Sequence, residues 1–325
     1  MRVGNESNQV NQFGGPEVLD VAAVDDPVPR AAEVVVRVKA AGVNPYDTYM
    51  RAGAYGSNNP ALPYTPGTDA AGVVEFIGPD VDDLAIGDRV FTTGTTSGAY
   101  AELALCQRQQ LHRLPQPVSF SQGAGIYVPY ATAYRSLFQL ARAKSGDVVL
   151  IHGASGGVGL AGVQLARASG MTVIGTAGSE EGLRLAEREG AHLVVNHSSL
   201  DYQRQILDMT NGRGVNVILE MRADVNLGND LKLLMPGGRV IVIGSRGDVQ
   251  ITPRDIMIRE ASVIGMFLWS VSGPDLLEIH AALQAGLSNG ELRPVIGLEL
   301  PLASASEAHR RIMESRALGK TVLIP

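Results

Sequence analysis

The sequence has one cysteine, Cys106, in 325 residues. A single thiol excludes an internal disulfide and any metal centre built from several thiolates. Long apolar runs are also missing. No window of about 18 residues is uninterruptedly apolar, so no membrane-spanning helix is expected. The opening stretch Met1–Gln12 is polar and lacks the apolar core of a secretion signal, so we expect a cytoplasmic protein. Positive charge is scarce, with 27 Lys and Arg against 33 Asp and Glu and a net charge of −6. That balance favours solubility and disfavours broad binding to a polyanion. Glycine is what the chain has in excess: 38 residues, against about 23 expected at the usual ~7%. Glycine allows sharp turns and close backbone approach. The length allows two domains.

The chain changes style along its length. Up to about residue 120 it reads as β-rich, with strand candidates Glu33–Ala40, Ala71–Ile77, Arg89–Thr92 and Ala99–Leu105 between turn clusters. From about Ser121 strands and helices alternate. The predicted strands are Asp147–His152, Thr172–Thr176, His192–Asn196, Val215–Glu220, Arg239–Gly244 and Ser262–Met266. The helices between them are Val158–Ser169, Glu180–Glu189, Tyr202–Met209 and Asn226–Leu234. Strands apolar on both faces and separated by helices imply a doubly wound parallel sheet of the Rossmann type. After about residue 270 the chain reads as a helix at Pro274–Ala285, strands at Pro294–Leu300 and Thr321–Ile324, and a capping box Ser304–Glu307 opening a helix through Met313. This tail is expected to pack back on the β-rich part. The expected division is 1–122 with 270–325 against 123–269.

The sharpest local signal is Gly153-Ala154-Ser155-Gly156-Gly157-Val158-Gly159, directly after a strand and opening a helix. It matches the dinucleotide fingerprint with its first glycine replaced by alanine. Gly156 would let the backbone approach a pyrophosphate, and the helix N-terminus would offer free N–H groups. A packing turn is the plain alternative. The same residues also fit the G-x-S-x-G elbow of hydrolases, with Asp230 or Asp255 and then His280 or His309 following in order. No oxyanion loop of the HGGG type stands upstream. NAD enzymes carry an acid at the tip of the second strand. Here that tip reads Thr176-Ala177-Gly178-Ser179, with no acid, which favours NADPH. Ser179, His197 and the helix start at Glu180 are the candidates to hold a 2′-phosphate.

These features, together with Phe13–Leu19, Ala41–Pro45, Leu62–Gly67, Gly87–Val90, Gly175–Gly178, Val225–Leu227 and Gly237–Gly247, resemble the medium-chain dehydrogenase/reductase superfamily. Within it the chain is similar to the zinc-free quinone oxidoreductases of the zeta-crystallin type, over nearly its whole length. The resemblance implies a β-rich GroES-like catalytic domain beside the Rossmann domain. It also implies cofactor contacts at Tyr49, Ser155, Gly156, Gly157, Val158, Gly178, His197, Asn226, Ile243, Gly244, Ser245, Arg246, Met266, Phe267 and Leu268. Tyr49 and Asn44 would be polar donors near the nicotinamide or the substrate carbonyl. Their alternatives are a packing tyrosine and a turn residue set by Pro45, and Asp47 reads as structural. In the zinc-dependent branch a Cys stands at Asn44, a His-Glu pair at Thr68-Asp69 and a second Cys near Val128. Only Asp69 of these could bind zinc well here, so no metal is expected. Without a Lewis acid the substrate must accept hydride readily, as quinones and activated enones do.

Two departures stand out. Gly4–Gln9 is polar where the family has an apolar first strand, so that strand is expected to be short or displaced. The segment Trp269–Ser272 differs in size from the expected substrate pocket. The activity implied is NADPH-dependent, zinc-independent quinone reduction. The alternatives are an enone or alkenal reductase of the same fold, and an RNA-binding or structural, crystallin-like role. The net charge and the lack of an RNP-type aromatic motif weigh against RNA. Ser262–Met266 is expected at a sheet edge, which pairing in a homodimer or homotetramer would cover.

Overall fold

The computed structural model describes residues 4–314 and 318–325; Met1–Val3 of the polar opening stretch lie outside them. The chain forms two compact units. One runs through Val128 and resumes at Arg293, and the other spans Pro129–Leu292.

In the second unit, six of the described strands form one parallel sheet. They are Val148–Ile151, Thr172–Ala177, Leu193–Asn196, Val215–Glu220, Leu234–Val242 and Ser262–Gly265. From one edge their order along the chain is 3-2-1-4-5-6. The chain first steps outward one way and then returns to the middle and steps the other way. Right-handed crossovers then place the helices on opposite faces. Burial agrees: Val149, Leu150 and Ile151 are each 0% exposed, so successive side chains on both faces are covered. The order reverses between Val148–Ile151 and Val215–Glu220, where Leu219 pairs with Ile151.

The first unit is built on strand Glu33–Val43, which pairs antiparallel with Asp69–Ile77, with Leu103–Gln107 and with Lys320–Ile324. Its valines Val34, Val35, Val36 and Val38 are buried, because β-branched residues suit a sheet covered on both sides.

The expectation for the polar first strand is corrected. Asn5–Val10 is a full six-residue strand paired with Leu19–Val24. Its buried polar side chains are satisfied by distant backbone. Asn5 donates to the Leu103 carbonyl at 3.2 Å and accepts from the Leu103 N–H at 2.9 Å, and Asn8 donates to the Leu302 carbonyl at 2.9 Å. The expected unit boundary near 270 is also corrected. Helix Gly273–Asn289 belongs to the second unit, where Tyr134 donates to Glu278 at 2.8 Å and Gln139 to the Asp275 carbonyl at 2.9 Å. The first boundary falls at Val128 rather than 122. The strand expected at Ala99–Leu105 begins only at Leu103. Helix Ala305–Glu314 grows out of a 3-10 turn at Leu302–Ser304, and the Glu307 carboxylate accepts from Arg310 and Arg311.

Candidate active site

Apart from Tyr49, which lies on a helix of the first unit, the residues expected to hold a cofactor fall just past the carboxyl ends of the six parallel strands. Ser155–Val158 follow the first of these strands and Gly178 the second. His197 follows the third, and Asn226 lies in helix Ala223–Leu233 after the fourth. Ile243–Arg246 follow the fifth and Met266–Leu268 the sixth. Ligands of open parallel sheets sit at this end, at the point where strand order reverses.

The glycine turn has the form that such a site needs. Gly153 has φ +59°, and helix Gly157–Ala168 starts straight after Gly156. A Cβ on Gly159 would collide with the Gly153 carbonyl oxygen and lie 2.7 Å from Ala154 Cα. Only glycine lets the helix approach the turn this closely. The alanine at the first fingerprint position is accommodated because its Cβ faces Gly175 on the next strand. Gly156, Gly157 and Val158 are half-buried, and the N–H groups of that first turn lack intrahelical acceptors.

At the second strand tip, the His197 ring lies against Gly178, with Nε2 2.9 Å from where a Cβ would stand. His197 Nδ1 is 3.3 Å from Thr176 Oγ1. The Ser179 hydroxyl caps the next helix, accepting from the Gly182 N–H at 3.2 Å. The Arg246 N–H donates to Asp224 at 3.0 Å. The hydrolase alternative loses two of its four candidate partners: Asp230 bonds His152, and His309 bonds Tyr100 and Arg51.

In the first unit, Asn44 precedes helix Pro45–Arg51, which carries Tyr49. Asn44 is buried, and its side chain is drawn into an ionic cluster. Its amide donates to Asp69 Oδ2 at 3.0 Å, and its carbonyl oxygen accepts from Lys320 Nζ. Lys320 Nζ lies 3.0 Å from the same Asp69 oxygen, while Asp69 Oδ1 accepts from the Val128 N–H at 3.1 Å. Next to it, Asp47 accepts from the Asn44 N–H at 2.8 Å and from the Tyr100 hydroxyl at 3.0 Å. Burial pushes the Asp47 carboxyl up to about 7. Tyr100 also meets His309 Nε2 at 3.1 Å, and Arg51 meets His309 Nδ1 at 3.2 Å. Burial, with Arg51 beside it, pulls His309 down to about 3 and keeps it neutral. Tyr49 is half-buried on its helix. An open cavity of about 550 Å³ in this unit is walled by Tyr46, Asp47, Met50, Tyr64 and Thr68, but by neither Asn44 nor Tyr49.

Comparison with known proteins shows the family. Residues 30–116 match the alcohol dehydrogenase GroES-like domain, and residues 157–283 match the zinc-binding dehydrogenase family. A human quinone oxidoreductase is 49% identical over 318 residues, covering 97% of this chain and 96% of that protein. The chain belongs to the quinone oxidoreductase family of the medium-chain dehydrogenases/reductases. Its structure is also similar to a quinone oxidoreductase from Escherichia coli in complex with NADPH, at 29% identity and a TM-score of 0.89. That match covers 98% of this chain and all (100%) of the other. An NAD-dependent alcohol dehydrogenase has a TM-score of 0.91 at 30% identity, covering 98% and 99% of the two chains. The fold is thus shared with dehydrogenases of other substrates, and the chain is an oxidoreductase with a nicotinamide-dinucleotide-binding domain.

Of the positions that the sequence resemblance sets against zinc ligands, Asn44, Thr68, Asp69 and Val128, the one acid, Asp69, is paired with the buried Lys320 ammonium. Lys320 was not singled out from the sequence, because 251 residues separate it from Asp69. The grouping of His152, Glu220 and Asp230, all buried and close together, was missed for the same reason.

Proposed function

We propose that the chain reduces quinones with NADPH and without zinc. The reading is carried by one observation: of the residues expected to contact the cofactor, all but Tyr49 follow the carboxyl ends of the parallel strands. Ser155, Gly156, Gly157 and Val158 would hold the pyrophosphate through backbone N–H groups and the partial positive charge of the helix end. Ser179 and His197, with the helix start at Glu180, would take the 2′-phosphate at a strand tip with no acid, and Gly178 would lie against the cofactor. Asn226, Ile243, Gly244, Ser245, Arg246 and the Met266-Phe267-Leu268 backbone would line the rest. Bound NADPH would supply a hydride from its nicotinamide ring.

Tyr49 and Asn44 are the polar groups proposed for the substrate end. Asn44 uses its carbonyl and one amide N–H within the Lys320–Asp69 cluster, which fixes its orientation and leaves its second amide proton for a substrate oxygen. The charge that develops on a reduced quinone oxygen is spread over the ring, so a few such donors suffice. An enone would use the same groups. Strand Ser262–Gly265 is exposed at its sheet edge, with Val263 at 37%, and we propose that a second copy covers it in a homodimer or homotetramer. We keep a cytoplasmic setting; among the described residues no helix is long and apolar enough to cross a membrane.

The test is a parallel titration of the purified protein with NADPH and NADH. Tighter binding of NADPH supports the reading. Equal affinity removes the role given to Ser179 and His197, and no binding of either dinucleotide ends it. Turnover with a naphthoquinone against an α,β-unsaturated ketone then separates the two substrate classes.

A further inference from the structure

Beneath the point where strand order reverses, polar side chains form a row across three neighbouring strands. His152 follows strand Val148–Ile151, Thr176 lies in Thr172–Ala177, and Glu220 ends Val215–Glu220. The pairings Ile151 with Leu219 and Ile151 with Gly175 set them side by side. Asp230 joins them from helix Ala223–Leu233. His152 is 3% exposed and the other three are 0%. His152 Nε2 is 2.9 Å from Asp230 Oδ1 and 3.6 Å from Glu220 Oε2, and its Nδ1 is 3.1 Å from Thr176 Oγ1. Glu220 Oε1 accepts from the Arg222 N–H and, at 3.2 Å, from the Asn226 side chain. That leaves two buried oxygens with no donor from the described residues, Glu220 Oε2 and Asp230 Oδ2, on acids that face each other.

We propose that one proton, carried on Glu220, lies between Glu220 Oε2 and Asp230 Oδ2, and that the cluster closed in this way positions Asn226 and His197 at the cofactor edge. Two facing carboxylates out of water do not both stay ionised. A single proton satisfies both orphaned oxygens at once. Its place follows from the remaining bonds. Asp230 receives the His152 Nε2–H and is the better carboxylate, while Glu220 keeps Oε1 as the acceptor for Arg222 and Asn226. With Nε2 as donor, neutral His152 accepts at Nδ1 from the Thr176 hydroxyl, and Thr176 accepts from His197 Nδ1–H. Donation therefore runs one way, from the exposed His197 through Thr176 and His152 to the acid pair. Burial pushes both acids up to about 7 and pulls His152 down, in keeping with a protonated pair beside a neutral ring. The other charged or titratable groups around the pair are Tyr202, whose hydroxyl is raised by burial and by both acids, and Arg222, whose guanidinium is paired with Asp224. The positioning half of the inference rests on the cofactor site proposed above; the proton does not.

The experiment compares the full-length wild type with E220Q, D230L and T176V by infrared spectroscopy, thermal unfolding and NADPH titration. The E220Q amide can donate to Asp230 and accept from Arg222 and Asn226 as the protonated acid does. Near neutral pH the wild type is expected to show the carbonyl band of a buried carboxylic acid, and E220Q to lack it while keeping its melting temperature and NADPH affinity. D230L removes the acceptor of the His152 N–H and is expected to weaken NADPH binding about tenfold. T176V leaves the acids alone, so it should keep the band and still weaken NADPH; it replaces D230L if that variant does not fold. An unchanged band in E220Q, an E220Q as impaired as D230L, or one equivalent of divalent metal in the purified protein would overturn the proton. Unaltered NADPH affinity in folded D230L or T176V would overturn the positioning. If the wild type binds neither dinucleotide, the cofactor reading and the positioning fall together, and the band alone decides the proton.

Discussion

In the first unit the Lys320 ammonium and the Asp69 carboxylate enter the core as a pair, with the Asn44 amide bridging them. In the second unit Glu220 and Asp230 enter the core together beside a histidine that burial keeps neutral. Both clusters are almost wholly buried, but only the first brings its own counter-charge. The first is closed by a cation and needs no proton. The second is closed by a proton, and its charge state is open to pH.

The largest effect should come from breaking the charge balance of the first cluster. Lys320→Met leaves Asp69 buried without its partner and should cost about 3–5 kcal/mol in urea or thermal unfolding. Adding Asp69→Asn should recover part of that loss. A double variant no better than the single one would show that the pair is not coupled. Asn44→Ala removes one bond to each ion and should cost about 1–3 kcal/mol while lowering turnover more than NADPH affinity.

The pH response should differ between clusters and even within one. Glu220 is raised from 4.5 to about 7, so the stability linked to its proton is complete below 4.5 and lost as pH rises through about 7. Asp47 behaves the same way, between 3.8 and about 7. His309 runs opposite. Its folded form excludes the proton, so its share is complete above 6.5 and lost as pH falls towards about 3. Unfolding midpoints across this range should show H309Q losing less than wild type on the acid side. E220Q should lose less than wild type on approaching and passing neutrality. Parallel curves for all three proteins would remove the distinction. The smallest effect is expected at the surface end of the second cluster. Gly178→Ala presses a methyl against His197 and should weaken NADPH about fivefold, and NADH less.

Much of the second unit could be read in advance. Val215–Glu220 and Tyr202–Met209 have the observed ends, because an apolar run bounded by turn residues and a helical spacing are local signals. The glycine turn was legible for the same reason. Strand Asn5–Val10 was not, since its polar side chains are satisfied by Leu103 and Leu302, far along the chain. Neither buried cluster has a local spacing. His152 and Asp230 are 78 residues apart, and they meet because neighbouring strands end at the same level and a helix follows one of them. One signal was available. Once the strand order 3-2-1-4-5-6 is assumed, the residues ending the first and fourth strands must adjoin, and here they are a histidine and a glutamate.

The central claim is tested most directly by following NADPH absorbance with a naphthoquinone while a strong zinc chelator is present. The account predicts oxidation at an unchanged rate. A rate that vanishes with the chelator and returns when zinc is restored would contradict it.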